Sequence, residues 1–371
     1  MNAVDKYLAG RIAEREQAGN LRALSAQRSP VDFYSNDYLG LSTTGLLASL
    51  TPVGNHSTGS TGSRLLSGNS PQALALEHTL AIFHKAEAAL LFNSGYDANI
   101  GLLSSIISRD TIVLSDELCH ASIIDGIRLS LTTHKYKFRH NDLNDLETKL
   151  KRHATTGKPV IVVAESVYSM DGDKAPLTDM AALCGQHHAA LVIDEAHATG
   201  VFGINGEGLV CALGLEDKIF ARIHTFGKAL GCHGAAVVGS AMLQQYLINY
   251  ARSFIYTTAL PPHSLQAIHS AYQHLQSHTF TNQPLHDLIA YFKAQVAGIP
   301  CWKQSSTPIQ AYVAGNNEKA KQLATRLQQS GLQVSPILHP TVPAGQERLR
   351  VCLHTFNTRE QVDVLIATTA N

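Results

Sequence analysis

The stretch Leu191-Val192-Ile193-Asp194-Glu195-Ala196-His197 is a short apolar run that ends in a carboxylate and is followed by a histidine. The run has the length and composition of a buried strand. A carboxylate at the end of a buried strand is costly unless a cation or strong donors meet it, and a pyridinium nitrogen is such a cation. Asp194 is therefore predicted to pair with a pyridinium ring. His197 then suits a hydrogen bond to a phenolic oxygen of that ring, or else is an ordinary packed histidine.

A second apolar run, Ala221-Arg222-Ile223-His224, leads into Thr225-Phe226-Gly227-Lys228-Ala229-Leu230-Gly231, which places a lysine among small residues. A lysine that forms a Schiff base needs a restricted pocket, which lowers its pKa, and space for the cofactor beside its stem. The glycines on both sides of Lys228 leave that space. Alone, the motif favours a surface lysine. With Asp194 upstream, it predicts that Lys228 binds pyridoxal 5'-phosphate (PLP).

Polar residues also follow other apolar runs, at the positions where ligands gather in an open α/β sheet. Gly95 and Tyr96 begin a predicted helix whose free N–H groups suit a phosphate, although a plain helix cap explains Ser94 equally well. His120 is placed to stack on the cofactor ring, or else is a histidine at a helix start that bonds to the backbone. Ser169 is predicted to contact the cofactor.

Apolar runs alternate with helical stretches from about residue 71 onward, which predicts an α/β fold with a mainly parallel central sheet and helices on both faces. We expect an N-terminal arm over residues 1–45, a large PLP-binding α/β domain over residues 46–280 and a small C-terminal α+β domain over residues 281–371. The Gly-, Ser- and Thr-rich segment Thr51–Ser70 is predicted to be a long functional loop. The predicted strands of the large domain are Ala88–Phe92, Thr111–Ser115, Lys135–Phe138, Val160–Ala164, Ala190–Ile193, Ala221–His224 and Ala235–Gly239.

Composition and charge argue against several classes of protein. The 371 residues include 29 basic and 29 acidic side chains, and this balance provides no global field to hold nucleic acid. The six cysteines are scattered without a C-x-x-C pair, which disfavours a disulfide framework and a zinc site and suits a reducing cytoplasm. No apolar run is long enough to cross a bilayer, and charged residues in Met1–Gly19 interrupt any signal-peptide core. We therefore expect a cytoplasmic protein with no membrane or nucleic-acid partner.

Two further kinds of site are disfavoured. The glycine-rich stretch Gly59–Asn69 lacks the strand and helix context of a dinucleotide site, and it is not a P-loop. The histidines are mostly dispersed, and His187-His188 has no companion cluster, so no metal site is predicted.

Several motifs, in order, resemble those of the α-oxoamine synthase family of fold-type-I PLP enzymes, and the similarity extends from about Phe33 to Leu353. The resemblance implies the PLP-dependent transferase fold of type I and a homodimer whose active sites lie at the subunit interface. It also implies small-molecule substrates: an amino acid and an acyl-CoA or acyl carrier protein. The matching motifs are Asn36–Leu41, Thr61–Arg64, Ser94–Tyr96, His120–Ser122, Ser169–Asp173, Asp194–His197, Thr225–Lys228 and Pro340–Pro343.

The resemblance assigns roles to the residues that would do the chemistry. It implies that Lys228 forms the Schiff base and that Asp194 pairs with the ring nitrogen. It further implies that His197 contacts the phenolic oxygen and that His120 stacks on the ring. These are the predicted catalytic residues.

The resemblance also implies a set of binding residues. Thr225 matches a residue that binds the cofactor's phosphate, and Thr257 or Thr258 matches one that reaches the phosphate of the partner subunit. Arg350 matches the arginine that holds the carboxylate of the amino acid, and Asn36 matches an amide on the substrate side.

The family joins an amino acid to an acyl thioester and releases carbon dioxide, so the resemblance implies a PLP-dependent acyltransferase. Ala196 and the stretch Phe254–Pro261 are more similar to the branch that condenses L-alanine with pimeloyl-CoA, or with a pimeloyl carrier protein, in biotin synthesis. Glycine acetyltransferases tend to have serine before the histidine, and aminolevulinate synthases tend to have valine. Leu353–Asn357 departs from the family's small-residue stretch ending in histidine, which leaves acyl-chain specificity open.

The sequence leaves three alternatives open. One is another α-oxoamine synthase, similar to glycine C-acetyltransferase or serine palmitoyltransferase. The second is an aminotransferase, and the third is a non-catalytic scaffold subunit. The presence of Lys228, Asp194 and His197 together argues against a scaffold.

Overall fold

The structure is a computed structural model that describes residues 1–24, 26, 29–52, 57–153 and 156–370. The chain forms two compact units. One unit comprises Asn36–Ser169 and Lys174–Pro284, and the other comprises Met1–Ser35, Met170–Asp173 and Leu285–Asn371. The strands are β1 (Val31–Asp32), β2 (Ala88–Phe92), β3 (Ile112–Asp116), β4 (Lys135–Phe138), β5 (Val160–Glu165), β6 (Ala190–Asp194), β7 (Ala221–Thr225), β8 (Ala235–Gly239), β9 (Ile309–Val313), β10 (Leu332–Gln333), β11 (Ser335–Ile337) and β12 (Arg348–Cys352).

Helices separate most of these strands. Many begin at a side chain that caps the first turn, as Ser70, Ser94 and Ser240 do by accepting a hydrogen bond from a backbone N–H. The helices are α1 (Ala3–Gln17), α2 (Leu46–Leu50), α3 (Pro71–Phe83), α4 (Gly95–Ile106), α5 (Ala121–Leu129), α6 (Leu143–His153), α7 (Leu177–Gln186), α8 (Leu209–Ala212), α9 (Ala241–Tyr250), α10 (Arg252–Ile255), α11 (Pro262–Leu275), α12 (Gln283–Gln295), α13 (Asn317–Gln329) and α14 (Arg359–Ala370).

The larger unit is built on one seven-stranded sheet in the order β2-β8-β7-β6-β5-β3-β4. Every predicted strand of the large domain is present in it, with bounds that shift by a residue at most. The pairs from β7 through β6, β5 and β3 to β4 are parallel, whereas β8 runs antiparallel to both of its neighbours. The short connection from Thr225 to Ala235 explains the reversal, because a parallel crossover needs a dozen or more residues. The predicted mainly parallel α/β sheet is confirmed.

Both faces of the sheet are buried except at the edge strand β4, in which three of the four residues are exposed. All six residues of β5 are buried, although successive side chains of a strand point to opposite faces. One face packs against α4, α5 and α9 through residues such as Leu102, Ile123 and Leu247. Burial on both faces explains why these strands are continuous apolar runs rather than alternating patterns. Because β6 and β7 pair in parallel, their ends, with Asp194 and Thr225, lie at the same edge of the sheet.

The smaller unit contains two sheets. An antiparallel sheet has the order β11-β12-β9, and β1 pairs in parallel with β10 through Val31 and Leu332. Strands β10 and β11 are separated by one residue but belong to different sheets. The helices of this unit include α1, α13 and α14.

The predicted loop Thr51–Ser70 is irregular over its described residues. Residues 53–56 of that prediction lie outside the part of the chain that the structure describes.

Candidate active site

Lys228 and His197 are in direct contact. The Nζ atom of Lys228 lies 2.8 Å from Nε2 of His197, and Nδ1 of His197 lies 2.7 Å from the hydroxyl of Tyr38. The Tyr38 hydroxyl also lies 3.1 Å from Oδ1 of Asn36. Tyr38 and His197 are buried, whereas Asn36 and Lys228 are half-buried, so only the middle of this chain is shielded from water. A single chain of hydrogen bonds therefore extends from Asn36 to the amine of Lys228.

Asp194 is held at the end of β6 with both carboxylate oxygens engaged. Its Oδ1 accepts the backbone N–H of Ala196 at 2.9 Å, and its Oδ2 accepts from Nδ2 of Asn99 at 2.7 Å. Asp194 is 5% exposed. These two donors provide the hydrogen bonds that a buried carboxylate requires. The arrangement suits a carboxylate that faces a cation.

His120 is the N-cap residue of α5. Its Nδ1 accepts the backbone N–H of Ser122 at 3.2 Å and lies 2.8 Å from the Ser122 hydroxyl. The structure therefore contains the backbone-bonded histidine that the sequence offered as the alternative. A cap through Nδ1 leaves the ring face and Nε2 for other contacts, so the predicted stacking role stays a prediction. Desolvation lowers the pKa of His120 and outweighs the negative charge of Asp194, which raises it; the nearby Lys228 lowers it further.

Glu165 lies at the end of β5, in register with Asp194 on β6. Its Oε1 accepts the backbone N–H of His120 at 2.5 Å. Burial, followed by the negative charge of Asp194, raises the pKa of Glu165 to about 8. Two neighbouring carboxyl groups in a dry site resist a second negative charge, so Glu165 is expected to be the protonated member of the pair.

Helix α4 begins next to the end of β7. Ser94 caps the helix by accepting the N–H of Asp97, which is the plain cap that the sequence allowed. A Cβ atom added to Gly95 would overlap Oγ1 of Thr225. This close approach brings a threonine hydroxyl to the N–H groups of a helix start, which is a favourable place for a phosphate. The Tyr96 hydroxyl donates to Asp125, so a role for Tyr96 in phosphate binding would rest on its backbone N–H.

Thr257 and Thr258 are tied to the segment just before α4. Nδ2 of Asn93 donates to Oγ1 of Thr257 at 3.1 Å and to the backbone oxygen of Thr258 at 2.7 Å. Their predicted reach to a partner's phosphate stays a prediction. Ser169 is half-buried within the same unit.

Arg350 lies on β12 in the smaller unit, where it is buried and donates to Sγ of Cys352 at 3.1 Å. The divergent stretch Leu353–Asn357 follows it. His354 bonds the backbone oxygen of Ser35 at 3.0 Å, and Asn357 donates to the backbone oxygen of Asp32 at 2.9 Å. These residues thus connect the segment after β12 to β1 and to the residues that follow β1.

The residues of the larger unit fit PLP. The Asp194 carboxylate suits the ring nitrogen, and His197 beside Lys228 suits the phenolic oxygen and the aldehyde carbon. The start of α4, next to Thr225, suits the phosphate. Among the described residues, no group of three or more His, Cys, Asp or Glu side chains is arranged to hold a metal ion. The described helices also include none that is long and apolar enough to cross a membrane.

Comparison with known proteins agrees with this chemistry. The family described as aminotransferase class I and II matches residues 28–368. The chain belongs to this family. Its membership confirms the predicted type I fold, the PLP cofactor and the enzyme class, and the relatives described next confirm the resemblance to α-oxoamine synthases.

A curated relative is the 8-amino-7-oxononanoate synthase of Emericella nidulans, which is 43% identical over 92% of this chain and 89% of its own length. A solved serine palmitoyltransferase of Sphingomonas wittichii superposes with a TM-score of 0.88 and 27% identity, over 99% of this chain and 97% of that one. The 8-amino-7-oxononanoate synthase of Francisella tularensis has a TM-score of 0.76 and 29% identity, over 91% of this chain and 96% of its own.

Sequence reasoning missed four residues of the site: Tyr38, Asn99, Ser122 and Glu165. Tyr38 and Ser122 lie in the motifs Asn36–Leu41 and His120–Ser122, in which only Asn36 and His120 are predicted to have a function. No periodicity or spacing marks Asn99 or Glu165, because their contacts join residues far apart in the chain. A buried polar residue near a strand end or early in a helix was the available signal.

Proposed function

We propose that this protein condenses L-alanine with a pimeloyl thioester, either pimeloyl-CoA or a pimeloyl carrier protein, and forms 8-amino-7-oxononanoate with release of the thiol and carbon dioxide. The observation that carries the proposal is the 2.8 Å contact between Lys228 Nζ and His197 Nε2 in the same unit as the held Asp194 carboxylate. The 43% identity to an 8-amino-7-oxononanoate synthase supports this choice of substrates.

Each residue has a distinct task in this reaction. PLP, when bound, supplies an electron sink for the charge that develops on the α-carbon of the amino acid. The amine of Lys228 removes the α-proton as general base, and His197 orients that amine. Asp194 maintains a negative charge at the ring nitrogen. We assign Arg350 to the carboxylate of alanine, which it holds until that group leaves as carbon dioxide.

The test is thiol release by the PLP-loaded protein, with L-alanine, glycine or L-serine offered against pimeloyl-, acetyl-, succinyl- and palmitoyl-CoA. Release with alanine and pimeloyl-CoA alone is expected, and the product should have the mass of 8-amino-7-oxononanoate. Release with a different pair would overturn the proposed substrates. A Lys228→Ala variant serves as the blank, because it lacks the proposed base.

A serine palmitoyltransferase-like reaction is the second candidate, because the TM-score to that enzyme exceeds the score to the Francisella tularensis synthase. We give more weight to sequence identity, since one fold supports several substrate specificities. Thiol release with L-serine and palmitoyl-CoA would favour this second candidate.

A further inference from the structure

Two groups predicted to hold the cofactor ring are connected through residues that have no assigned role. Asn99 lies on α4 and Ser122 lies on α5, and each side chain is 1% exposed. Nδ2 of Asn99 donates to Oδ2 of Asp194 at 2.7 Å and to Oγ of Ser122 at 3.0 Å. Oγ of Ser122 then lies 2.8 Å from Nδ1 of His120. An unbroken chain thus joins Asp194 to His120.

The direction of each hydrogen bond in this chain can be assigned. The backbone N–H of Ser122 donates to Nδ1 of His120, so Nδ1 is an acceptor. The Ser122 hydroxyl accepts from Asn99 and shares the single Nδ1 lone pair as a second donor, so the ring proton of a neutral His120 resides on Nε2. Burial lowers the pKa of His120, which agrees with a neutral ring. The backbone N–H and the hydroxyl of Ser122 therefore favour the same tautomer of His120, and the hydroxyl links that ring to Asn99.

The orientation of the Asn99 side-chain amide is energetically unfavourable for one of its polar atoms. Among the described residues, its buried Oδ1 atom has no hydrogen-bond partner. A flipped amide would direct Oδ1 at the Asp194 carboxylate and would lose both donors, so the observed orientation is the one that serves Asp194 and Ser122. A buried polar atom without a partner is unusual in native structures and calls for such an explanation.

The two helices are packed closely enough to make the chain possible. A Cβ atom added to Gly126 on α5 would lie 2.8 Å from the backbone oxygen of Asn99 and 3.0 Å from Cβ of Leu103 on α4. Real Cβ atoms do not make contacts this short, so a larger residue at this position would push α5 away from α4. Gly126 thus allows Asn99 and Ser122 to meet.

We propose that Asn99 and Ser122 are positioning residues, which join Asp194 and His120 into one hydrogen-bonded unit around the cofactor ring. This inference rests on the proposed roles of Asp194 and His120. Neither Asn99 nor Ser122 needs to touch the cofactor. Their effect is to couple the carboxylate at the ring nitrogen to the imidazole at the ring face, so loss of either residue disturbs both.

The test is a double-mutant cycle with Asn99→Ala, Ser122→Ala and the double variant. Two quantities are measured on PLP-loaded protein: the dissociation constant for PLP and the pH midpoint of its visible absorbance. Each single variant should weaken PLP binding about tenfold and shift the midpoint by about half a unit or more. Because both variants break one chain, the double variant should show clearly less than the sum of the two shifts.

The matched control is Ser104→Ala, which removes a half-buried serine hydroxyl on α4 that donates only to the backbone oxygen of Ile100. This control should leave both quantities unchanged. Additive shifts, or an unchanged midpoint in Ser122→Ala, would overturn the inference. If Asn99→Ala does not fold, Ser122→Ala alone decides the question. If the wild-type protein binds PLP and responds to Asp194→Asn but not to these variants, the proposed function stands and this inference fails.

Discussion

Replacing Tyr38 with phenylalanine should slow turnover by about two- to tenfold. The substitution removes one hydroxyl, which is fully buried and lies 2.7 Å from Nδ1 of His197. A hydrogen bond of this kind is worth about 0.5–1.5 kcal/mol, and about 1.4 kcal/mol corresponds to a tenfold change in a rate constant. His197 contacts Lys228, so the lost bond should affect the orientation of the proposed base more than substrate binding. We therefore expect kcat to fall while KM changes little.

The assay is steady-state thiol release with the accepted amino acid and thioester, together with thermal unfolding. Tyr272→Phe is the matched control, because the Tyr272 hydroxyl makes a similarly buried bond to Nε2 of His84 at 2.8 Å and bonds no residue assigned to the cofactor. Both variants should lose a comparable amount of stability. Only Tyr38→Phe should lose rate, and equal kcat values for the two variants would refute the role of Tyr38.

Three further outcomes are expected. Asp194→Asn should retain the fold and reduce single-turnover proton removal by at least about tenfold, because a neutral amide no longer stabilises a pyridinium; an unchanged rate would contradict that role. Between pH 4.5, the ordinary pKa of glutamate, and about pH 8, the raised pKa of Glu165 in the fold, the native wild-type protein binds one more proton than the unfolded chain. The wild-type protein therefore loses stability as the pH rises through this interval. Glu165→Gln cannot titrate, so its stability relative to wild type should increase with pH over the same interval. The same pH dependence of the melting temperature in wild type and Glu165→Gln would count against a raised pKa of Glu165. Gly95→Ala should weaken PLP binding by at least about tenfold through overlap with Thr225, measured by equilibrium titration, whereas Gly185→Ala, which has open space around it, should not.

The sequence predicted most of the sheet well because its strands, apart from the exposed edge strand β4, are buried on both faces. Apolar runs such as Val160–Glu165 need no tertiary information to be recognised as strands. The antiparallel direction of β8 was not foreseen. The pairing of Val31 with Leu332 was also missed, since a strand of two residues has no periodicity and its partner is far away in the chain.

Prediction of the site from sequence is limited in the same way, because some of its residues are brought together only by the fold. Lys228, Asp194 and His197 stand in recognisable motifs at strand ends, whereas Asn99 and Glu165 become functional candidates only when α4 and β5 are placed beside β6. The two interpretations of His120 could not be separated from sequence, because a helix cap and a contact with a ring use different parts of one side chain. Asn99 and Glu165 are therefore identified by contacts between distant parts of the chain and not by a local sequence pattern.

The most direct test is to identify the residue that binds PLP covalently. The PLP-loaded protein is reduced with borohydride, digested and analysed by mass spectrometry. The peptide containing Lys228 should carry the reduced cofactor, and Lys228→Ala should abolish this modification. Modification of a different lysine, or none in a protein that turns over, would contradict the assignment of Lys228.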